Sequence, residues 1–280
     1  MLIRIGYDIA VNFFAPTPVI HMLYLHPTRK SSVKQPEQLV LEPHIPVEEF
    51  IDGFGNRCGR FIAPTGRLRL YNDAIVEDSG LPDAVDLNAV QHSLNELPTD
   101  TLTYLLPSRY CEVEKLSDIA WNLFGHTRLG WPRVKAICDW AHQRIQFGYE
   151  FARGDRTAFE AYTEQRGVCR DYMHLAITLC RCMGIPARYA TGYLGDICVP
   201  PVPFPMDFSA WFEVYVGGQW YTMDARHNVP RVGRVLMARG RDAADVALFT
   251  TFGRHALESF KVWTDELKSD EVEKSVMAIP

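Results

Sequence analysis

The sequence lacks the features that mark several large classes of protein. No window approaches the ~18 uncharged apolar residues that a membrane-spanning helix needs. The mostly apolar first twenty residues contain Arg4 and Asp8 and are followed by no small-residue cleavage site, so no secretion signal is predicted. There is no glycine-rich phosphate loop and no long basic run, and the net charge is -5. We therefore expect a cytoplasmic protein with no membrane, nucleic-acid or nucleotide partner.

The cysteines do not form a pattern typical of disulfides or metal sites. There are 7 of them, an odd number, scattered along 280 residues, which is a poor disulfide framework and favours a reducing compartment. Cys180 and Cys182 would lie about 200° apart on a helix, and no CxxC or HExxH motif accompanies them. The sequence thus predicts no metal and no cofactor, and at least one unpaired thiol.

The hydrophobic pattern predicts two domains of the α+β class. From about residue 2 to residue 76, short runs rich in Val, Ile, Leu and Tyr alternate with turn signals such as Pro64-Thr65-Gly66, which is typical of an antiparallel β-sandwich. Helical periodicity takes over after residue 113, so we place the sandwich at 1–108 and a second domain at 109–280. Residues 265–274 are expected to form a solvated, charged tail.

In the second domain, helices give way to a hairpin. Helical spacing covers residues 114–124, 132–146, 156–164 and 169–183, and Gly167 is expected to supply the positive φ that ends the third helix. From residue 208 to residue 216 the period is two, and Gly217-Gly218 is a two-residue turn into a second strand that ends at Asp224.

Cys169 is the cysteine best placed for chemistry. It opens the fourth helix, where backbone N–H groups and the helix dipole stabilise an anion and lower the pKa of a thiol. The alternative interpretation is an ordinary buried thiol with only a structural or redox role.

Two segments around this cysteine resemble the transglutaminase-like superfamily. Gly167-Val168-Cys169-Arg170-Asp171-Tyr172, then Gly184-Ile185-Pro186-Ala187-Arg188-Tyr189 and Gly192-Tyr193, are similar to the family's nucleophile segment. Ala210-Trp211-Phe212-Glu213-Val214-Tyr215 and Trp220-Tyr221-Thr222-Met223-Asp224 look like the segment that supplies its catalytic histidine and aspartate. The upstream sandwich, with Phe54-Gly55-Asn56 and the segment from Tyr104 to Tyr110, resembles the N-terminal region often joined to bacterial members.

This resemblance implies a papain-like core and thiol chemistry on a protein or peptide substrate. The cysteine would attack an amide carbonyl and form a thioester, from which water releases an acid or an amine forms a new amide. The family carries histidine immediately before the Ala-Trp pair, whereas this chain has Ser209. The candidate catalytic residues are therefore Cys169, Asp224 and Ser209, with the triad histidine missing.

Hairpin geometry places these residues relative to one another. If Val216 pairs with Gln219, Ser209 and Asp224 are diagonal neighbours on one face. We expect Ser209, Trp211 and Asp224 to face the helix that carries the cysteine, and the alternating apolar residues to face the core. Asp224 also has a simpler interpretation, as a turn residue that bonds nearby backbone N–H groups.

Serine cannot replace imidazole as a base near pH 7, a loss of ~10²–10⁴-fold in rate. His227 is expected to point to the opposite face if the strand continues, and His174 is expected to be structural because it is rotated ~140° from Cys169 on the helix. Arg170 and Asp171 are interpreted as a structural charged pair.

The sequence thus favours an impaired thiol enzyme, with a non-catalytic peptide- or protein-binding member of the same fold as the alternative. It gives no prediction of oligomeric state.

Overall fold

The computed structural model describes residues 1–267. These residues form four α-helices, short 3-10 turns and fifteen strands. The α-helices are α1 (Val113–Phe124), α2 (Trp131–Arg144), α3 (Ala158–Glu164) and α4 (Cys169–Cys182). The strands are β1 (Leu2–Phe13), β2 (Thr17–His21), β3 (Val33–Gln35), β4 (Val40–Glu42), β5 (Glu48–Ile51), β6 (Arg57–Ala63), β7 (Gly66–Glu77), β8 (Gln146–Phe147), β9 (Arg166–Gly167), β10 (Ala187–Tyr193), β11 (Ser209–Val216), β12 (Gln219–Met223), β13 (Val235–Gly240), β14 (Phe249–Thr251) and β15 (His255–Leu267).

The N-terminal domain is a sandwich of two antiparallel sheets. One has the order β15-β1-β7-β3, with β4 also paired to β7, and the other has the order β14-β2-β6-β5. Alternating side chains of β1, including Ile3, Ile5 and Ile9, are buried in a core shared with β7. This alternation is what a strand with one face on a core requires.

The sandwich is completed by strands from the far end of the chain. Strand β15 pairs with β1 along nearly its whole length, from Leu2 opposite Leu267 to Phe13 opposite His255, and β14 pairs with β2. A single domain boundary between residues 108 and 109 therefore does not describe the structure, because strands on both sides of it belong to the sandwich. The expectation of a solvated tail is corrected for residues 265–267, which are in β15, while residues 268–274 lie outside the described part of the chain.

The second domain packs helices on one face of an antiparallel sheet. Its sheet has the order β12-β11-β10-β13, and α4 packs against β10 and β11. The predicted hairpin register is confirmed, with Val216 opposite Gln219 and Phe212 opposite Met223. Three residues at the end of β10, just before β11 and at the start of β13 belong to the sandwich core instead. They are Tyr193, Phe208 and Val235. The predicted α+β class is confirmed.

The segment between α3 and α4 ends one helix and starts the next. The residue with positive φ is Gln165, at φ 55°, rather than Gly167 as expected. Gly167 is needed for space instead, because a Cβ there would collide with the side chain of Asp171.

None of the helices within residues 1–267 has the length and apolar character that a membrane-spanning helix requires.

Candidate active site

Cys169 is the first residue of α4, and the start of this helix is held by Asp171. The Asp171 carboxylate accepts the backbone N–H of Val168 at 2.8 Å and pairs with the buried guanidinium of Arg156 at 3.0 Å. The expected pair of Arg170 with Asp171 is replaced by this one. Arg170 donates to the backbone oxygen of Arg153 and lies over the Tyr110 ring. Asp171 is thus structural, and it fixes the turn that presents the thiol.

The surroundings of Cys169 raise the pKa of its thiol rather than lower it. Burial raises its pKa, and the nearby Asp207 carboxylate acts in the same direction. The Arg226 guanidinium and the backbone N–H groups of Ala210 and Arg170 lower the pKa but do not outweigh burial. The expected low-pKa thiolate is therefore not what the structure gives, because the packing around the sulfur costs more than the helix terminus supplies.

The thiol lines a cleft of about 360 Å³, which we call the thiol cleft. One wall is the connection between β10 and β11, which contributes Val199, Pro200, Phe204 and other apolar side chains. The other walls come from the start of α4, the start of β11 and the turn after β12. The cleft is lined by Cys169, Ser209, Arg226, His227, Asp207 and Tyr149 among others.

Asp224 is a buried carboxylate that accepts hydrogen bonds from two side chains. Its Oδ2 atom accepts from Nδ1 of His227 at 2.8 Å and from Nη2 of Arg234 at 2.9 Å. Its Oδ1 atom accepts the backbone N–H groups of Arg226 and His227. Burial by itself would raise the pKa of Asp224, but these donors hold it well below its usual value. Asp224 is therefore an ionised acceptor at neutral pH.

The expectation that His227 faces away from the cleft is wrong. Strand β12 ends at Met223, and the chain then turns. In this turn the backbone N–H of Asn228 donates to the backbone oxygen of Asp224 at 2.8 Å. This turn brings His227 into the thiol cleft with its Nδ1 on Asp224. The turn interpretation of Asp224 and its interpretation as a partner of histidine are both supported by these contacts. Asp224 followed by Asn228, two residue types common in turns, was the sequence signal that the strand stops.

The strand that carries Ser209 has its faces reversed from the expectation. Ala210, Phe212 and Val214 pack in the core around α4, whereas Trp211 packs on the opposite face against Ala190 and Leu236. Trp211 therefore does not line the thiol cleft. The alternation of β11 shows that there are two faces but not which one meets the helix, because both are buried.

Ser209 lines the thiol cleft at the start of β11 but makes no hydrogen bond with the Asp224 carboxylate. The hydrogen bonds of that carboxylate within residues 1–267 go to Arg226, His227 and Arg234. The structure thus brings Cys169, Ser209 and His227 to one cleft and joins His227, rather than Ser209, to the carboxylate.

His174 is structural, as expected. It is fully buried on α4, its Nε2 accepts the backbone N–H of Ala243 at 3.2 Å, and its ring stacks on Tyr110. Tyr189 packs on the other side of the same ring. Within the described residues, no group of three or more His, Cys, Asp or Glu side chains could hold a metal ion, and all seven cysteines are free.

Fold and cleft together define a papain-like α+β protein with a thiol at the start of a long helix. Comparison with known proteins agrees with this class. The sequence profile of the transglutaminase-like superfamily matches residues 125–225, which contain Cys169, Ser209 and Asp224.

Two relatives extend the match over most of the chain. The chain is 31% identical over 204 residues to ML0607, an uncharacterised protein of Mycobacterium leprae (strain TN), covering 71% of this chain and 73% of that protein. It is 33% identical to a candidate cysteine protease from Cytophaga hutchinsonii, whose crystal structure superposes with a TM-score of 0.83 and covers 96% of this chain and 92% of that one. The chain belongs to the transglutaminase-like superfamily.

Proposed function

We propose that this protein is a thiol enzyme that acts on amide bonds of proteins or peptides, by hydrolysis or acyl transfer through a thioester on Cys169. We further propose that His227, held by Asp224, replaces the histidine that the family carries at position 209. One observation carries this proposal: the 2.8 Å contact of His227 Nδ1 with Asp224, on an imidazole that lines the same cleft as the thiol.

The tautomer of His227 follows from this contact. An ionised carboxylate only accepts hydrogen bonds, so Nδ1 carries a proton, and in the neutral imidazole Nε2 then has the lone pair. A base with that lone pair serves the reaction here, because burial raises the pKa of the Cys169 thiol. Asp224 would orient the imidazole and stabilise the imidazolium that forms after proton transfer.

The reaction then proceeds in two balanced halves. His227 Nε2 takes the thiol proton as the sulfur bonds to the amide carbon, and the backbone N–H of Cys169 is the nearest candidate donor to the developing oxyanion. The imidazolium returns this proton to the amide nitrogen, the C–N bond breaks, and an amine leaves. Water or a second amine then gives a proton to His227 and attacks the thioester carbon, which releases the thiol together with an acid or a new amide.

The test compares four variants of the full chain, which are His227→Gln, His227→Gln with Ser209→His, Ser209→His alone and His126→Gln. His227→Gln is expected to lower peptide turnover by ~10²–10⁴-fold, because the base and acid are lost. Adding Ser209→His to His227→Gln is expected to restore part of the activity, since an imidazole then stands at the family's position. His126→Gln, at an exposed position outside the cleft, is the matched control and should retain wild-type turnover.

The measurement uses a mixture of peptides from a digested protein. Mass spectrometry reports new peptide termini, incorporation of a fluorescent primary amine, and acyl adducts on Cys169. If His227→Gln turns over like the wild type, His227 is not the base. If the wild type, the double variant and a Ser209→His single variant all lack turnover and adducts, the non-catalytic binding protein is the correct alternative.

The cysteines also bear on where the protein works. Six of the seven thiols are buried or partly buried and unpaired, including Cys58, Cys111, Cys138 and Cys180. Free thiols in this number fit a reducing compartment, and we propose a cytoplasmic location.

A further inference from the structure

A second cavity lies beside the thiol cleft, on the far side of Asp224. It has a volume of about 660 Å³, within the range of pockets that hold small molecules and side chains. Its lining is mostly apolar, and we call it the apolar groove. The apolar side chains that define it are Val85, Leu87, Trp131, Met223 and Val229.

The apolar groove adjoins the thiol cleft. Val229 lines both cavities and is 53% exposed, so it forms a low rim between them. On the groove side of this rim lie Asp224 and Asn228, and on the cleft side lies His227. The turn that carries the imidazole is therefore the partition between the two spaces.

The far wall of the groove is fixed in place by hydrogen bonds. Asp83 accepts from the Arg234 side chain and from the backbone N–H of Arg231 at 2.9 Å. The Ala89 oxygen accepts the backbone N–H of Trp131 at 2.9 Å. Two exposed apolar side chains, Val85 and Leu87, thus stand at a set position opposite α2, and exposed apolar surface at a cavity marks an interaction site.

The chemistry of the cleft decides which part of a substrate reaches this groove. His227 must give its proton to the leaving nitrogen, so that nitrogen lies between the Cys169 sulfur and the imidazole. A chain attached to this nitrogen that continues past His227 would cross Val229 and enter the apolar groove. The same path serves an incoming amine in acyl transfer, because that step is the reverse of amine departure.

We propose that the apolar groove is the subsite for the leaving or incoming amine and that it selects amines whose first residue is large and apolar. This inference rests on the proposed function, since it needs the thioester on Cys169 and the proton of His227. The substrate class that it adds is a peptide with an aromatic or branched aliphatic residue directly after the cleaved bond, or a primary amine with such a group.

The experiment changes the groove wall and leaves the catalytic residues intact. Leu87→Asp places a charge in the groove, and Leu94→Asp is the matched control, because Leu94 belongs to the same connecting segment, is similarly exposed, and does not line the groove. The residue after each cleaved bond is read by mass spectrometry from a peptide mixture. Transfer to phenylalanine amide is compared with transfer to glycine amide.

In the wild type, peptides with a large apolar residue after the bond, and phenylalanine amide as acceptor, should be favoured by ~10–100-fold over their glycine counterparts. Leu87→Asp should lose most of this preference, while Leu94→Asp keeps it. Alkylation of Cys169 by iodoacetamide should proceed at the same rate in both variants, which shows that the thiol cleft is undisturbed.

The failures of the two proposals can be told apart. Turnover without any apolar preference in the wild type, or equal losses in Leu87→Asp and Leu94→Asp, would overturn the subsite and leave the thiol mechanism standing. Absence of all turnover and of every Cys169 adduct would overturn the proposed function, and the subsite with it.

Discussion

At position 209 this chain has serine, and the imidazole that contacts Asp224 comes from position 227. His227 is three positions after Asp224, and the turn between them is fixed by two backbone N–H groups that donate to the carboxylate. Asn228 continues this turn with φ 57° and donates from its side chain to Asp139 on α2. The imidazole is therefore held by a short, rigid connection and by a helix that packs beneath it.

Arg234 gives Asp224 a second side-chain partner, next to His227. The guanidinium donates to the same Oδ2 atom as His227, also binds Asp83, and lies over the Trp211 ring. Because Arg234 and His227 share one oxygen, removing the carboxylate takes an acceptor from both the buried guanidinium and the partly buried imidazole. The Asp224 carboxylate is thus important both for the orientation of the His227 imidazole and for the stability of the protein.

His21 in the sandwich is expected to make the protein less stable in mild acid. The ring is fully buried among Tyr24, Phe61 and Phe249, with both nitrogens unpartnered among the described residues. Burial lowers the pKa of His21 from 6.5 to about 4; Glu49 opposes this shift and Arg57 adds to it. A folded-state pKa below the unfolded one means that stability is complete above pH 6.5 and is lost as the pH falls towards 4.

The measurement for His21 is the free energy of unfolding in urea at pH 7.5, 6, 5 and 4.5. His21→Phe should remove up to about 3 kcal/mol of the decline across this range, because phenylalanine carries no titratable nitrogen. His26, whose pKa burial also lowers to about 4, should keep part of the decline in the variant. An unchanged pH profile in His21→Phe would contradict this account of the buried ring.

At the scale of elements, the hairpin of β11 and β12 was predictable in register but not in orientation. The Gly217-Gly218 turn adopts positive φ at both residues, which fixes Val216 opposite Gln219. The orientation depends on what covers each face, and here α4 covers one and the Trp211 cluster the other. Local turn chemistry sets register, whereas packing partners distant in sequence set orientation.

The end of α3 offers a prediction about an exposed residue. Gln165 has left-handed φ at the C-terminus of the helix, which costs a residue with a Cβ about 1 kcal/mol relative to glycine. Gln165→Gly should therefore raise the free energy of unfolding by up to ~1 kcal/mol in urea titrations. The exposed neighbour Arg166 is in β9, so Arg166→Gly is the matched control and should lower stability. If both variants lower the free energy of unfolding by the same amount, the left-handed φ of Gln165 does not destabilise the protein.

At the scale of the whole molecule, the two ends of the chain belong to one sheet. β1 lies between β7 and β15, so the first strand of the chain has the last described strand as one of its two hydrogen-bonded neighbours. Tyr193, Phe208 and Val235 of the second domain also enter the sandwich core. The thiol cleft is bounded by the same connection between β10 and β11 that ends in Phe208. The sandwich therefore supports the sheet that carries the cleft.

Val262 of β15 tests this arrangement. It is buried in the sandwich core, so Val262→Asp should destabilise the whole molecule by more than about 3 kcal/mol, because an unpaired charge enters an apolar core. Leu257→Asp, on the same strand but 61% exposed, should cost less than about 0.5 kcal/mol. Urea unfolding followed by tryptophan fluorescence measures both. A mild effect of Val262→Asp would show that β15 contributes little to the sandwich.

The sequence by itself determined the fold class, the N-terminal β-sandwich, the helix that begins at Cys169 and the hairpin register. These features follow from periodicity, turn residues and motif residues that act within about twenty positions of one another. Only the tertiary structure decided that β14 and β15 complete the sandwich, that burial raises the pKa of the Cys169 thiol, and that His227 contacts Asp224 in the thiol cleft. Strand partners, desolvation and the end of β12 depend on groups brought together from distant parts of the chain, and no local pattern encodes those contacts.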